Sequence, residues 1–97
     1  MPAQKILEAT VKRRVKRILD RMGVYYFSPM GGPYGRAGIP DIVGCYRGKF
    51  FAIECKAGGN KPTELQLKEL QGITDHGGIA MLVNEDNLEF EIERKLK

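Results

Sequence analysis

Apolar residues in the first quarter of the chain recur at helical spacing and predict an amphipathic helix over residues 3–22. At 100° per residue, one arc of about 120° holds six apolar side chains. They are Leu7, Val11, Val15, Ile18, Leu19 and Met22. Gly23 then stands where a left-handed residue commonly ends a helix. Glu8 also lies inside the arc. We expect this carboxylate either to meet a cation, a metal ion or a water-filled cleft, or to reach solvent from a frayed first turn.

Runs of β-branched and aromatic residues predict three strands after this helix. Residues 24–28 form the first strand. Residues 42–46 and 49–56 form a hairpin, closed by a two-residue turn at Arg47-Gly48. A glycine-rich loop over residues 29–38 precedes the hairpin, and it lacks the spacing of a nucleotide-binding fingerprint.

The position of the turn fixes which side chains face each other across the hairpin. With Arg47-Gly48 as the loop, Tyr46 pairs with Lys49 and, counting outward, Asp41 lies opposite Glu54. A turn one residue later would place Asp41 opposite Lys56 instead. Residues two apart on a strand project from the same face, so Asp41, Glu54 and Lys56 share one side in either register.

The second half of the chain predicts a helix followed by two strands. Thr63 is placed to cap the helix, with Gln66 completing a capping box and also lying within its apolar arc. Residues 79–84 form an apolar run typical of a buried strand, residues 88–92 alternate like an edge strand, and residues 94–97 are expected to fray. This order predicts an α/β fold, a mixed sheet flanked by helices, because the strand after the second helix requires a crossover.

Composition places the chain among small intracellular proteins. It has 97 residues and a net charge of +4, so we expect a single domain over residues 1–97 and a polyanionic partner. No long apolar run or signal-like segment is present, which predicts a soluble, cytoplasmic protein. Strand parity points Cys45 and Cys55 to opposite faces, so both are expected to be reduced core thiols. One histidine and no cluster of thiols argue against a zinc site.

Two carboxylates and an amine on one side of a hairpin suggest a divalent-metal site. Mg²⁺ and similar hard cations are held through one or two carboxylates together with substrate phosphate and water. Lys56 would then orient or deprotonate the attacking water, or offset charge that builds on the phosphate. The alternative is that Asp41, Glu54 and Lys56 form an ordinary cross-strand salt bridge.

The residues at the open end of the hairpin resemble the signature of a known family. Pro40-Asp41 followed by Glu54-Cys55-Lys56 resembles the PD-(D/E)XK nuclease signature. The fuller pattern, residues 38–41 with residues 53–56, is similar to the VRR-NUC branch of small replication and repair nucleases. The resemblance covers nearly the whole chain and implies a restriction-endonuclease-like αβββαβ core. It implies a DNA endonuclease dependent on Mg²⁺ or Mn²⁺ that leaves 5′-phosphate and 3′-hydroxyl ends.

The resemblance also implies roles for individual residues. Asp41 and Glu54 would bind the metal with the Cys55 backbone carbonyl, Lys56 would assist the attacking water, and Glu8 would tune the cluster or reach a second ion. In such nucleases a glutamine after the Glu-x-Lys strand helps to hold the cluster, which gives Gln66 a second role beside capping.

Basic side chains are the expected contacts to DNA phosphates. The candidates are Arg36, Arg13, Arg17 and Lys61. The alternative for each is solvated surface or, for Arg36, a plain connecting loop. A chain of 97 residues presents a small surface, so we expect a homodimer that positions two active sites on two strands. The resemblance favours branched DNA such as Holliday junctions or flaps, in a bacterial or phage replication and repair context. Two alternatives remain: a non-catalytic nucleic-acid-binding module on a nuclease fold, and a basic structural protein.

Overall fold

Three helices and four strands make up the fold in a computed structural model that describes residues 6–30 and 35–97. The elements are α1 (Glu8–Met22), β1 (Tyr25–Phe27), β2 (Ile42–Tyr46), β3 (Lys49–Cys55), α2 (Glu64–Asp75), β4 (Ile79–Val83) and α3 (Leu88–Leu96). Residues 3–5 of the predicted first helix and residues 31–34 of the predicted loop lie outside the described residues.

Helix α1 buries the apolar arc that its sequence predicts. Val11, Val15 and Leu19 are fully buried, and the helix ends at Gly23, whose φ of 70° is left-handed. Leu7 is an exception: it precedes the first helical residue and is exposed.

The hairpin adopts the predicted register. Arg47 and Gly48 both have positive φ, 53° and 80°, as a tight two-residue turn requires. Tyr46 therefore pairs with Lys49 and Ile42 with Ile53. Extending this register by one residue sets Asp41 opposite Glu54, as the sequence predicts for the candidate carboxylates.

The sheet is mixed, as predicted. Its strand order is β1-β2-β3-β4, with β1, β2 and β3 antiparallel and β4 parallel to β3. The main core packs α1 and α3 against one face of the sheet. Helix α2 contacts β3 and β4, and its buried Leu70 lies outside that core, so α2 covers the opposite face. Within the described ranges, no helix combines the length and apolar content needed to cross a bilayer.

The predicted edge strand over residues 88–92 is wrong, because this segment is the start of α3. Leu88, Ile92 and Leu96 are buried at a spacing of four, whereas Phe90 remains 65% exposed. A Leu-x-Phe-x-Ile run fits both periods over five residues, and only the third buried residue, Leu96, reveals the helical period. Since Leu96 is buried, the predicted fraying over residues 94–97 is also wrong.

The two cysteines are free and differ in environment. Cys55 is buried, and burial together with nearby carboxylates raises the pKa of its thiol to about 12. Cys45 is exposed, which corrects the expectation of a core thiol. Its cross-strand neighbours Tyr25 and Phe50 are exposed as well, so this part of the sheet is open to solvent.

Candidate active site

Asp41 and Glu54 meet at the open end of the hairpin, beside the first turns of α1. Asp41 immediately precedes β2, and Glu54 is the penultimate residue of β3. Glu54 is only 2% exposed and is the one charged residue buried among the described residues. A carboxylate this deeply buried is costly unless its oxygens find partners, so its surroundings determine what the site can do.

Both oxygens of Asp41 have partners. Oδ2 accepts a hydrogen bond from the Cys55 backbone N–H at 2.8 Å, which fixes the carboxylate against β3. Oδ1 lies 3.1 Å from Lys12 Nζ of α1, and this contact with Asp41 raises the pKa of the Lys12 amine. Lys12 is not singled out from the sequence alone, so this pair is missed there. Its position four residues after Glu8, on the same helix face, was the available signal.

Glu54 is less well satisfied. Its Oε2 lies 3.6 Å from Lys56 Nζ, whereas its buried Oε1 has no hydrogen-bond partner among the described residues. Burial, followed by the nearby negative charge of Asp41, raises the pKa of Glu54 to about 7, although Lys56 opposes the shift. At neutral pH this carboxyl group is therefore close to half protonated, and an added positive charge would favour its ionised form.

Lys56 lies between two acids. Its Nζ is 3.6 Å from Glu8 Oε1 as well as from Glu54 Oε2, and only 13% of its side chain is exposed. Glu8 is the first residue of α1. It meets a cation, which is one of the outcomes expected from its place within the apolar arc. The structure thus brings together Asp41, Glu54, Lys56 and Glu8.

Gln66 takes part in helix capping rather than in this cluster. Its Oε1 accepts from the Thr63 N–H at 2.9 Å while its own N–H donates to Thr63 Oγ1 at 3.1 Å, the predicted capping box. The described residues show no hydrogen bond between its side chain and Asp41 or Glu54. No hydrogen bond among the described residues therefore supports the predicted role of Gln66 in holding the carboxylates.

A close backbone approach links the start of α2 to the loop that carries Asp41. Gly38 has a φ of 78°, and a Cβ there would lie 2.5 Å from the Leu65 carbonyl oxygen. Only glycine accommodates both that conformation and that proximity. Gly38 thus allows the chain through Pro40 to pass against α2 and deliver Asp41 to the hairpin.

The donor set suits a hard divalent cation held with few protein ligands. Within residues 6–30 and 35–97, no three acidic, histidine or cysteine side chains are close enough together to hold a metal ion. Mg²⁺ does not need such a cage, because one or two carboxylates with water and phosphate suffice. The unpartnered Glu54 Oε1 and the neighbouring Asp41 carboxylate fit that requirement. The Lys12 amine would have to move away from Asp41 Oδ1 before both carboxylates could bind one ion.

A cleft of about 450 Å³ opens beside Asp41. Its cationic lining comes from Lys12 and Lys16 of α1 and from Arg36 of the preceding loop. Arg36 is held by Glu69 of α2, with Nη2 and Oε1 2.8 Å apart, and 76% of its side chain remains exposed. A phosphate entering this cleft would meet three cations on its way to Asp41.

The other predicted DNA contacts lie outside this cleft. Arg13 and Arg17 are exposed on α1, and Lys61 is exposed between β3 and α2. The cleft lining given by the structure includes none of the three. The structure therefore separates the predicted contacts into Arg36, which borders the cleft at Asp41, and three surface residues.

Comparison with known proteins gives one partial similarity to a nuclease. No protein-family model matches the chain. A stretch of 36 residues is 53% identical to "Putative nuclease p44" of Acyrthosiphon pisum secondary endosymbiont phage 1. The stretch represents 36% of this chain and 39% of the phage protein, so the chain matches well under half of that relative's length. Over this stretch the chain is similar to a phage protein named as a nuclease.

Proposed function

We propose that this protein is a metal-dependent nuclease that hydrolyses phosphodiester bonds in DNA, of the PD-(D/E)XK type and its VRR-NUC branch. The main support is the buried Glu54, whose Oε1 lacks a partner beside Asp41 and Lys56 at the end of the hairpin. A purely structural salt bridge would have no need of an unsatisfied buried carboxylate oxygen. The element order α-β-β-β-α-β before α3 and the partial similarity to a phage nuclease agree with this proposal.

The two carboxylates are the proposed ligands of Mg²⁺ or Mn²⁺. Asp41 and Glu54 would hold the ion together with the Cys55 backbone carbonyl, and Glu8 is the candidate for a second ion. Such an ion, when bound, polarises a phosphate oxygen and makes water a better nucleophile at neutral pH. The Cys55 N–H bond to Asp41 keeps this carboxylate directed into the site.

Lys56 supplies the proposed acid–base and electrostatic function. Its amine is held between Glu54 and Glu8, at 3.6 Å from each, so it stays within reach of the same point as the carboxylates. There it can orient the attacking water, or stabilise the negative charge that accumulates on the phosphate. Lys12 lines the cleft beside Asp41 and, with an ion bound at Asp41, would be free to contact a phosphate there.

Branched DNA is the proposed substrate, cleaved by a homodimer. The cationic cleft at Asp41 suits a phosphodiester backbone of either a junction or a flap. Two copies related by a twofold axis would present one site to each of two strands. Light scattering at micromolar concentration tests this assembly, and a monomer would argue strongly against the junction substrate.

A non-catalytic nucleic-acid-binding module is the alternative. It is favoured by the two amines that already contact Asp41 and Glu54 and by the lack of three clustered metal ligands among the described residues. In that case the protein would bind DNA without cleaving it, and divalent ions would have no specific effect.

A cleavage assay separates these functions. Labelled four-way junction, flap and linear duplex are incubated with the protein and Mn²⁺, and then with excess chelator. We expect cleavage that chelator stops, that Asp41→Asn and Glu54→Gln abolish, and that Glu64→Gln, an exposed control on α2, retains. Binding without cleavage in the wild type would establish the alternative, and full activity in either site variant would refute the assignment.

A further inference from the structure

A second concave surface lies on the other flank of α1, away from the candidate active site. This groove between α1 and α3 encloses about 830 Å³. Both helices supply cations to it, and these are Arg14, Arg17, Arg21, Arg94 and Lys97. At 100° per residue, Arg14 and Arg21 lie about 140–200° around α1 from Lys12 and Lys16. Helix α1 therefore forms a ridge with a cationic concavity on each side.

Two of the α1 cations of this groove are available to a ligand. Arg17 and Arg21 are exposed, and neither forms an ion pair with any described residue. On the opposite wall, Arg94 lies 5.7 Å from the centre of the Phe90 ring and 3.0 Å from Glu91, so its guanidinium is held at the groove. Arg14, the third α1 cation of the groove, pairs with Glu89 at 3.5 Å. The uncompensated charge of the α1 wall therefore comes from Arg17 and Arg21, and Arg94 is held in place on the α3 wall.

Charge and shape together indicate the kind of ligand. Five cationic side chains and two acidic ones, Glu89 and Glu93, surround a lining that also includes Ile18, Met22 and Phe90. Three of the cations already pair with acids, Arg14 with Glu89, Lys97 with Glu93 and Arg94 with Glu91. The excess positive charge therefore lies at Arg17 and Arg21. A second copy of the chain is disfavoured here, because a twofold contact would bring this positive surface against itself. A phosphodiester backbone combines the required negative charge with apolar sugar edges.

The dimensions of α1 match a duplex. A helix with its side chains is about 10–12 Å across, close to the width of about 12 Å of the major groove of B-DNA. A helix lying in that groove has a phosphate backbone on each flank. The exposed side of α1 is basic at Arg13 and Arg17. Its acid, Asp20, accepts a hydrogen bond from the Tyr26 hydroxyl at 2.7 Å and is outnumbered by the arginines on this side.

We propose that α1 enters the major groove of a DNA duplex, with the strand to be cleaved in the cleft at Asp41 and the opposite strand in the α1–α3 groove. This assignment of strands rests on the proposed nuclease function. The groove between α1 and α3 then acts as a backbone-binding site that selects double-stranded substrate and holds it across α1.

Binding of a DNA duplex in the absence of metal ions tests the proposed role of the groove independently of cleavage. A 30-base-pair DNA duplex is titrated by fluorescence anisotropy against the wild type, Arg17→Gln/Arg21→Gln and Arg94→Gln. The control is Arg47→Gln/Lys49→Gln at the far turn of the hairpin, which removes two cations, one of them an arginine over an aromatic ring. Thermal unfolding verifies that each variant is folded, and Lys97→Gln replaces Arg94→Gln if the latter is not.

The expected losses are graded. Arg17→Gln/Arg21→Gln should weaken duplex binding roughly tenfold and lower the salt slope by about 2, and Arg94→Gln should weaken it roughly threefold. The control should bind as the wild type does. Methyl green, a major-groove ligand, should compete with the protein, whereas the minor-groove ligand netropsin should not.

Several results would contradict the proposal that the α1–α3 groove binds a DNA backbone. One is that the wild type does not bind the duplex, and another is that Arg17→Gln/Arg21→Gln binds it as tightly as the wild type. Weaker binding by that variant together with normal binding by Arg94→Gln would also count against the proposal, as would competition by netropsin alone. A different result addresses the proposed function: binding with the expected pattern but no cleavage in Mn²⁺ would refute the nuclease and leave the groove established.

Discussion

Lys12 Nζ lies 3.1 Å from Asp41 Oδ1, so an ion pair joins α1 to the start of β2 at the candidate active site. The Asp41 carboxylate is thereby partly neutralised before any other cation arrives. Lys12 and a divalent ion would compete for the same oxygen, and that competition can be measured.

Removal of this lysine should strengthen metal binding. In Lys12→Met the Asp41 carboxylate loses its resident cation, and we expect Mn²⁺ to bind up to about fivefold more tightly, as the free energy of about 1 kcal/mol for a partly exposed ion pair allows. Calorimetric titration measures the change. Lys16→Met is the matched control, because Lys16 borders the same cleft without contacting Asp41. Equal tightening in both variants would show only a general charge effect.

Glu54 should destabilise the metal-free protein as pH rises. Its pKa is raised from 4.5 to about 7 in the fold, so between these values the folded protein binds more protons than the unfolded chain. The free energy of unfolding therefore falls as pH increases through this window, and the loss is complete above it.

The variant Glu54→Gln should lack this fall in stability. Above pH 7 it should be more stable than the metal-free wild type by about 1–3 kcal/mol, as measured by urea unfolding at several pH values. Glu64→Gln serves as the exposed control and should follow the wild type. A Glu54→Gln curve parallel to that of the wild type would mean that burial of this carboxyl group has no cost.

Lys56 should contribute to the chemical step more than to substrate binding. Because its amine is directed at the carboxylates rather than into the open cleft, Lys56→Met should lower kcat by about 10²-fold with little change in KM. Steady-state cleavage of a labelled flap gives both constants, and Lys49→Met at the hairpin turn is the control. A rise in KM with unchanged kcat would instead make Lys56 a binding residue.

We expect glycine to be required at position 38 for stability, because the loop there passes very close to the backbone of α2. Gly38→Ala places a methyl group 2.5 Å from the Leu65 carbonyl oxygen at a φ of 78°, and we expect a loss of about 2–4 kcal/mol in unfolding free energy. Gly48→Ala has a similar φ of 80° but no atom within 4 Å, so it should lose only about 1 kcal/mol from backbone strain. Equal losses in the two variants would contradict the steric explanation.

Local signals in the sequence were sufficient for the hairpin and for α2. Arg47-Gly48 determines the register, and Thr63 with Gln66 determines where α2 begins, because each depends only on neighbouring residues. The end of the chain was not predictable in this way. The run from Leu88 to Ile92 fits two periods, and its helical form depends on burying Leu96 against the core.

The candidate site could likewise be predicted only as far as local sequence patterns determine it. Strand parity placed Asp41, Glu54 and Lys56 together, and the apolar arc singled out Glu8. The contact of Lys12 with Asp41 depends on how α1 lies across the hairpin, which a linear sequence does not specify. The lack of a partner for Glu54 Oε1 is likewise a property of the packed structure.

Titration of the wild type with Mn²⁺ in two buffers of different ionisation enthalpy tests the central claim most directly. If Asp41 and Glu54 hold the ion, binding at pH 7 should release protons from Glu54, because burial raises the pKa of this carboxyl group to about 7, so the observed heat should depend on the buffer. Asp41→Asn and Glu54→Gln should abolish the binding heat, and Glu64→Gln should retain it. Equal Mn²⁺ binding in all four proteins would contradict the account.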